Sequence, residues 1–205
     1  VSWRGGTKQG PQAVIAASEH MESYDDELDA DYHDVGIATL EALEPDASGP
    51  EAMCNRVQQA AERIVADGKF LFGLGGEHSV TIGLFRALQR KFPDLSVLHI
   101  DAHTDLRAEY HSSPYSHACV MRHLAEAGAK IASVGVRSIS AEERDFIRSR
   151  PDQILTLTGM TVGRTADWLD RALAHLGPRV YTTIDIDGFD PAIAPGTGTP
   201  EPGGL

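Results

Sequence analysis

The strongest constraint in this chain is a repeated order. A short apolar run is followed by a turn dense in carboxylates and imidazoles, and in one case directly by a helical pattern. Phe70 to Leu74 runs into Gly75-Gly76-Glu77-His78-Ser79, and Val97 to Ile100 runs into Asp101-Ala102-His103-Thr104-Asp105. The β-branched run from Val180 to Ile186 carries Asp185 and Asp187 at its end, ahead of Gly188-Phe189-Asp190-Pro191. Apolar strands alternating with helices call for a parallel sheet covered on both faces. In such sheets the ligand crevice lies beyond the carboxyl ends of the strands. Segments of this kind at three strand ends can converge on one place, and their mixture of carboxylate and imidazole suits hard and borderline cations.

The remaining punctuation predicts a βα alternation. Gln12 to Tyr24 is expected to be a helix, and Val35 to Ile37 a short strand after a solvated acidic loop. Glu51 to Asp67 has apolar residues at helical spacing, with Gly68 placed as a C-terminal cap. A strand at 70–74, a helix at 79–92, a strand at 97–100 and a long loop to His117 follow. Then come a helix through Ala127, a strand at 131–136 and a helix over 141–150. Ser140 and Glu143 have capping-box spacing at the start of that helix. A strand at 154–157, a helix over 164–176 and the strand 180–186 complete the pattern. The expected fold is α/β, a three-layer α-β-α arrangement with a mainly parallel central sheet, formed by residues 1–205 as a single domain. The chain starts at Val1 and ends in the turn-rich Thr199–Leu205, directly behind the functional loop. The domain is therefore expected to be truncated at both ends, with its C-terminal part missing.

Composition narrows the partners. A formal charge of −12 argues against non-specific nucleic-acid binding. No apolar run reaches the ~20 residues of a membrane span, and no signal peptide is evident. Two cysteines, Cys54 and Cys119, are too few for a disulfide framework, which fits a reduced cytoplasmic setting.

Asp101, His103 and Asp105 alternate, so an extended segment points all three to one face. Asp185 and Asp187 repeat that spacing, and His78 adds an imidazole after a glycine turn. A single D-x-D or D-x-H is a common surface turn. Three such segments, each behind a strand, point to two adjacent ions sharing carboxylates. His99, inside a strand, is expected to be a satisfied core residue, and Cys119 a packed thiol.

These residues also carry a family resemblance. Gly75 to His78, Asp101 to Asp105, Ser116-His117, and Asp185 to Ala192 running into Pro195-Gly196-Thr197-Gly198-Thr199-Pro200 resemble, in order, the signatures of the ureohydrolases, the arginase and agmatinase family. The likeness runs from Gly6 to the last residue. Glu77 stands where the family usually has Asp. The resemblance implies an arginase/deacetylase-like fold and a homo-oligomer, a trimer or hexamer. It also implies two Mn(2+) ions. His78, Asp101, Asp105 and Asp185 would hold one, and His103, Asp101, Asp185 and Asp187 the other. A hydroxide between the metals would attack the guanidinium carbon and release urea and an amine. Asp105 would hydrogen-bond that hydroxide, and His117 would be the acid–base or proton-shuttle residue. The family further uses a Glu beyond the last Asp pair, and no such segment follows within these residues. A one-metal deacetylase is the rival class, disfavoured by the full second-metal set.

The same likeness implies a small cationic guanidino substrate. Ser140 stands where arginases place an Asp for the α-ammonium group, and Arg107 where they place a carboxylate-binding Asn. Asp105 to Tyr110 and Tyr115 to Arg122 are similar to the agmatinase branch. Agmatine, split to putrescine and urea, is therefore the expected substrate, with Arg107, Tyr115 and Ser140 as candidate contacts. The alternatives are guanidinobutyrase, arginase or a related amidinohydrolase, or a catalytically incomplete family member.

Overall fold

The protein is described from a computed structural model, over residues 5–205. Gly10–Ser18 forms α1 with Pro11 in its first turn, where a missing N–H costs nothing. Tyr24–Asp25 (β1) and Ala30–Asp31 (β2) make a small antiparallel hairpin. Residues 32–35 form a 3-10 turn, so the strand expected at Val35–Ile37 does not exist. Helix α2 (Pro50–Ala66) buries Cys54, Val57, Ala61 and Val65 along one stripe, and Gly68 closes it at φ +70°. Helix α3 (Val80–Lys91) packs on α2 at Gly83. A Cβ there would lie 2.4 Å from the Cys54 carbonyl, so only glycine lets the two backbones meet.

The core sheet has four parallel strands: β3 (Ser96–Ile100), β4 (Ile131–Val136), β5 (Ile154–Thr158) and β6 (Val180–Ile184), in the order β5-β4-β3-β6. Between them lie α4 (Val120–Glu126), α5 (Ala141–Arg148), α6 (Gly159–Arg164) and α7 (Trp168–His175). Alternate strand residues face opposite layers. Val97, Ile131 and Ile154 join Ile82, Phe85 and Met121 on one face. Ala132, Val134 and Leu157 join Ala172 and Trp168 on the other. The three-layer α-β-α expectation therefore holds. The Ser140–Glu143 capping box at α5 is present with both of its hydrogen bonds. The helix expected over 164–176 is α7, which starts only at Trp168, and α6 at Gly159–Arg164 is an additional short helix ahead of it.

Phe70–Leu74 corrects the expected strand. The run has no regular secondary structure and pairs with no strand among the described residues. Phe70 and Phe72 are 92% and 77% exposed, and at Gly73 the backbone lies close against the half-buried Leu84 of α3. Strand propensity reflects fit to a neighbouring strand, and a run without one gains no ladder. No described helix is long and apolar enough to cross a membrane.

Candidate metal centre and its cavity

Register builds the centre. Ile100 pairs with Ile184, so the next residues, Asp101 and Asp185, emerge side by side from β3 and β6. The Asp185 N–H donates to the Ile100 carbonyl at 2.9 Å. β3 leads to β4 on one side while β6 lies on the other, so the two carboxylates stand where the strand order reverses, the expected place for a ligand crevice. Asp185 does not continue the strand. Its carboxylate accepts from the Asp187 N–H and caps a 3-10 turn at 186–188. Gly188 in that turn lies against β3; a Cβ would sit 3.0 Å from the Asp101 nitrogen.

His78 reaches the same point from the turn before α3. Its Nε2 is 3.0 Å from the Thr183 hydroxyl, and its Nδ1 lies 2.9, 3.3 and 3.6 Å from carboxylate oxygens of Asp105, Asp101 and Asp185. Despite these distances Nδ1 is buried and forms no hydrogen bond with the described residues. An imidazole nitrogen and several carboxylate oxygens that converge without hydrogen-bonding one another form a donor set suited to a cation. His103 Nδ1 lies 3.4 Å from Asp101 and 3.2 Å from Asp187. Donor atoms of His78, His99, Asp101 and Asp105 form one group close enough to hold an ion, and those of Asp101, His103 and Asp187 form another. Asp101 belongs to both groups. Asp185, expected to be shared, belongs to neither and sits at the more exposed edge.

Electrostatics follow from this crowding. Burial alone lowers the pKa of His78, but Asp101 and Asp105 override it and hold the group well above its ordinary value. The same contest, with Asp101 and Asp187, pushes His103 up to about 11. Burial, reinforced by the Asp101 charge, raises Asp185 to about 6 and also raises Asp105. Asp101 moves the other way: the nearby imidazoles outweigh burial and hold it well below the usual carboxylate range. Asp105 also takes a left-handed backbone, φ +50°, uncommon outside glycine but better tolerated by Asp than by most residues.

Several side chains that motif reading passed over hold this arrangement. His99 is buried, as expected, but both ring nitrogens are engaged, one on Asp101 at 2.9 Å and one on Ser133 at 3.1 Å. The Thr199 hydroxyl donates to Asp187 at 2.6 Å. The guanidinium of Arg137 donates to the carbonyls of Gly135, Asp187, Gly188, Phe189 and Glu201, tying the Asp187 turn to the C-terminal loop. Most of these targets lie about fifty or more positions away in the chain and carry no local signal in the sequence.

A cavity of about 290 Å³ opens beside the centre, lined by Asp101, His103, Asp105, Asp185 and Asp187 together with Arg107, Tyr110, His117, Ile139 and Ser140. His117 is thus brought to the carboxylates. Arg107 lines the wall without an ion pair to any described residue, its guanidinium 5.3 Å from the Tyr110 ring. Tyr115 is not among the lining residues, and its hydroxyl donates to Glu51 instead. Ser140 lines the cavity, but its hydroxyl oxygen already accepts the Glu143 N–H as helix cap, which leaves one lone pair and its own O–H for a substrate contact. Glu143 is equally committed, accepting from Thr104, Leu106 and the Ser140 N–H.

Comparison with known proteins bears on this centre. Residues 1–205 match the model of the arginase family. An N(1)-aminopropylagmatine ureohydrolase of Synechocystis sp. is 40% identical, across 100% of this chain and 68% of the relative. An agmatinase of Bacillus subtilis is 35% identical, across 100% and 70%. The crystal structure of agmatine ureohydrolase from Thermoplasma volcanium superposes with a TM-score of 0.89 at 34% identity, across 100% of this chain and 69% of that one.

Proposed function

The chain belongs to the arginase family as an agmatinase-like ureohydrolase, and on that premise we propose that it hydrolyses agmatine to putrescine and urea with two manganese ions. The observation that carries this reading is His78 Nδ1, buried without a hydrogen bond and facing Asp105, Asp101 and Asp185. His78, Asp101, Asp105 and Asp185 would hold one ion; His103, Asp101, Asp185 and Asp187 the other. Carboxylate-rich ligation suits Mn. The bound pair would supply a water of lowered pKa and positive charge opposite the developing negative charge.

The chain's own groups then divide the work. Asp101, fixed by His99, serves both ion positions. Asp105 faces the same point and can orient the attacking water. His117 lines the cavity and can pass a proton to the leaving amine. Tyr110 and Ile139 offer apolar wall to a methylene chain. Ser140 carries no charge, and the Glu143 carboxylate is turned toward donors on Thr104, Leu106 and Ser140, so no carboxylate is aimed at an α-ammonium group, which disfavours free arginine. The aminopropylagmatine relatives make a longer guanidino-polyamine a natural variant of the same reading.

A second reading, a guanidino acid such as 4-guanidinobutyrate, is favoured by Arg107, a cation on the cavity wall without an ionic partner among the described residues. The two buried free cysteines fit a reduced cytoplasmic setting. Exposed apolar side chains such as Val14, Ile15, Phe70 and Phe72 fit a homo-oligomer. The test is urea release by the full-length protein, with Mn, from agmatine, N(1)-aminopropylagmatine, arginine and 4-guanidinobutyrate. Preference for agmatine is expected. Preference for arginine or the guanidino acid overturns the substrate assignment, and no urea from any of the four overturns the activity.

A further inference from the structure

Glu77 stands between the Gly75-Gly76 turn and His78, and each of its oxygens has a separate task. Oε2 accepts the Ser79 N–H at 2.8 Å and also the Ser79 hydroxyl, which fixes the carboxylate at the mouth of α3. Oε1 lies 3.2 Å from Nδ1 of His117, a residue forty positions away on the far wall of the cavity. The turn that presents Glu77 is itself held in place. A Cβ on Gly76 would lie 2.2 Å from the Thr7 carbonyl, so the backbone there is clamped against the N-terminal loop.

The imidazole of His117 is held from two directions. Glu77 takes Nδ1, and the Tyr110 ring meets it edge-on with centroids 5.6 Å apart. The Ser116 hydroxyl is the other group near Nδ1, at 3.5 Å, the limit of a hydrogen bond. Nε2 has no hydrogen-bond partner among the described residues. A carboxylate on Nδ1 fixes both the tautomer and the ring orientation of a histidine, and leaves Nε2 to act.

We infer that Glu77 is a positioning residue for His117: by accepting the Nδ1–H it fixes the ring so that Nε2 is the nitrogen offered to the substrate. This rests on the reading of the cavity as the ureohydrolase site. It goes beyond that reading by giving a task to a residue that is not among the proposed metal ligands. Glu77 touches neither substrate nor reacting atoms and acts only through His117.

The test uses the full-length, manganese-loaded protein and three variants. Glu77→Ala removes the acceptor. Glu77→Met fills the volume without an acceptor and serves if the alanine variant fails to fold. Glu77→Gln keeps an acceptor oxygen. The inference expects kcat to fall about ten- to a hundredfold in the first two, with KM within about threefold of the parent, unchanged Mn content and substantial recovery in Glu77→Gln. Nitrogen NMR of the His117 ring in the metal-free proteins, where no paramagnetic Mn broadens it, assigned by its loss in His117→Asn, should show the Nδ1–H form in the parent and in Glu77→Gln, and a mixture of tautomers in the other two. An unchanged tautomer or parental kcat in Glu77→Ala or Glu77→Met overturns the inference. So does loss of Mn with the tautomer unmoved, which would assign Glu77 to support of the His78 turn. If the parent releases no urea from any guanidine, the functional reading fails, and the tautomer alone decides whether Glu77 sets the His117 ring.

Discussion

His78 Nδ1 lies 2.9 Å from Asp105 Oδ2, yet no hydrogen bond joins them. Donor atoms of His78, His99, Asp101 and Asp105 lie close enough together to hold one ion. Asp101 and Asp185 face the same nitrogen from the ends of β3 and β6, so three carboxylates crowd one imidazole nitrogen.

Asp101 is the one carboxylate common to both donor groups. Asp101→Ala should therefore lose both ions, whereas Asp187→Ala should mainly weaken the ion on the His103 side. Asp185→Ala tests whether the more exposed carboxylate also serves both, and loss of both ions is expected there too. Elemental analysis of Mn per chain gives the answer. Unchanged, equal metal content in all three variants would sink the two-ion assignment.

Ion binding should release protons. In the metal-free chain His78 is held well above its ordinary pKa and His103 at about 11, in each case because neighbouring carboxylates overcome burial. An ion needs the neutral imidazole, so each histidine must lose its proton on binding. Affinity for Mn should then fall as pH falls. The metal-free fold carries the opposite dependence. The raised pKa of His103 stabilises it fully below about 6.5, and that contribution is lost as pH rises toward about 11. Calorimetric titration in buffers of different ionisation enthalpy reads the protons directly. Mn uptake without proton release, at a pH-independent affinity, would contradict this.

His117 is the cavity histidine that belongs to neither donor group. His117→Asn should lower turnover about a hundredfold or more while Mn content stays near the parent value. Wild-type turnover in this variant would leave the proton transfer to water or to Asp105.

What was legible in the sequence, and what was not, divides along contact range. Asp101, His103 and Asp105 are neighbours in the chain, and their alternation announces a shared face. The Ser140–Glu143 box is equally local, and it forms as spaced. Phe70–Leu74 had the composition of a strand, but a strand is a relation between two segments, and this one has no partner among the described residues. The supports of the centre are longer-range still. Thr183 meets His78 across 105 positions, and Arg137 gathers carbonyls from Asp187 to Glu201. No spacing rule reports such contacts. Ser140 shows a conflict between two local readings. The spacing that marks it as a cap also occupies one of the two lone pairs that a substrate contact could use.

That commitment shapes the final prediction. Ser140→Asp places a carboxylate on the cavity wall at a helix N-cap, a position where Asp is as acceptable as Ser. The cap survives because an Asp oxygen can take the Glu143 N–H that the serine oxygen accepts now. The second oxygen is then available to an α-ammonium group. A buried ammonium without such a partner costs a few kcal/mol, enough for roughly hundredfold discrimination. Ser140→Asp should therefore raise kcat/KM for arginine relative to agmatine by about tenfold or more, through the arginine term. The nearby Glu143 carboxylate, already occupied by Thr104, Leu106 and the residue-140 N–H, limits the gain by like-charge repulsion. Kinetics on both substrates, with Tm to confirm the cap, decide the matter. An unchanged arginine-to-agmatine ratio in a variant of parental Tm would mean that the α-ammonium group never reaches the start of α5, and that discrimination lies elsewhere on the wall, with Arg107 the first residue to examine.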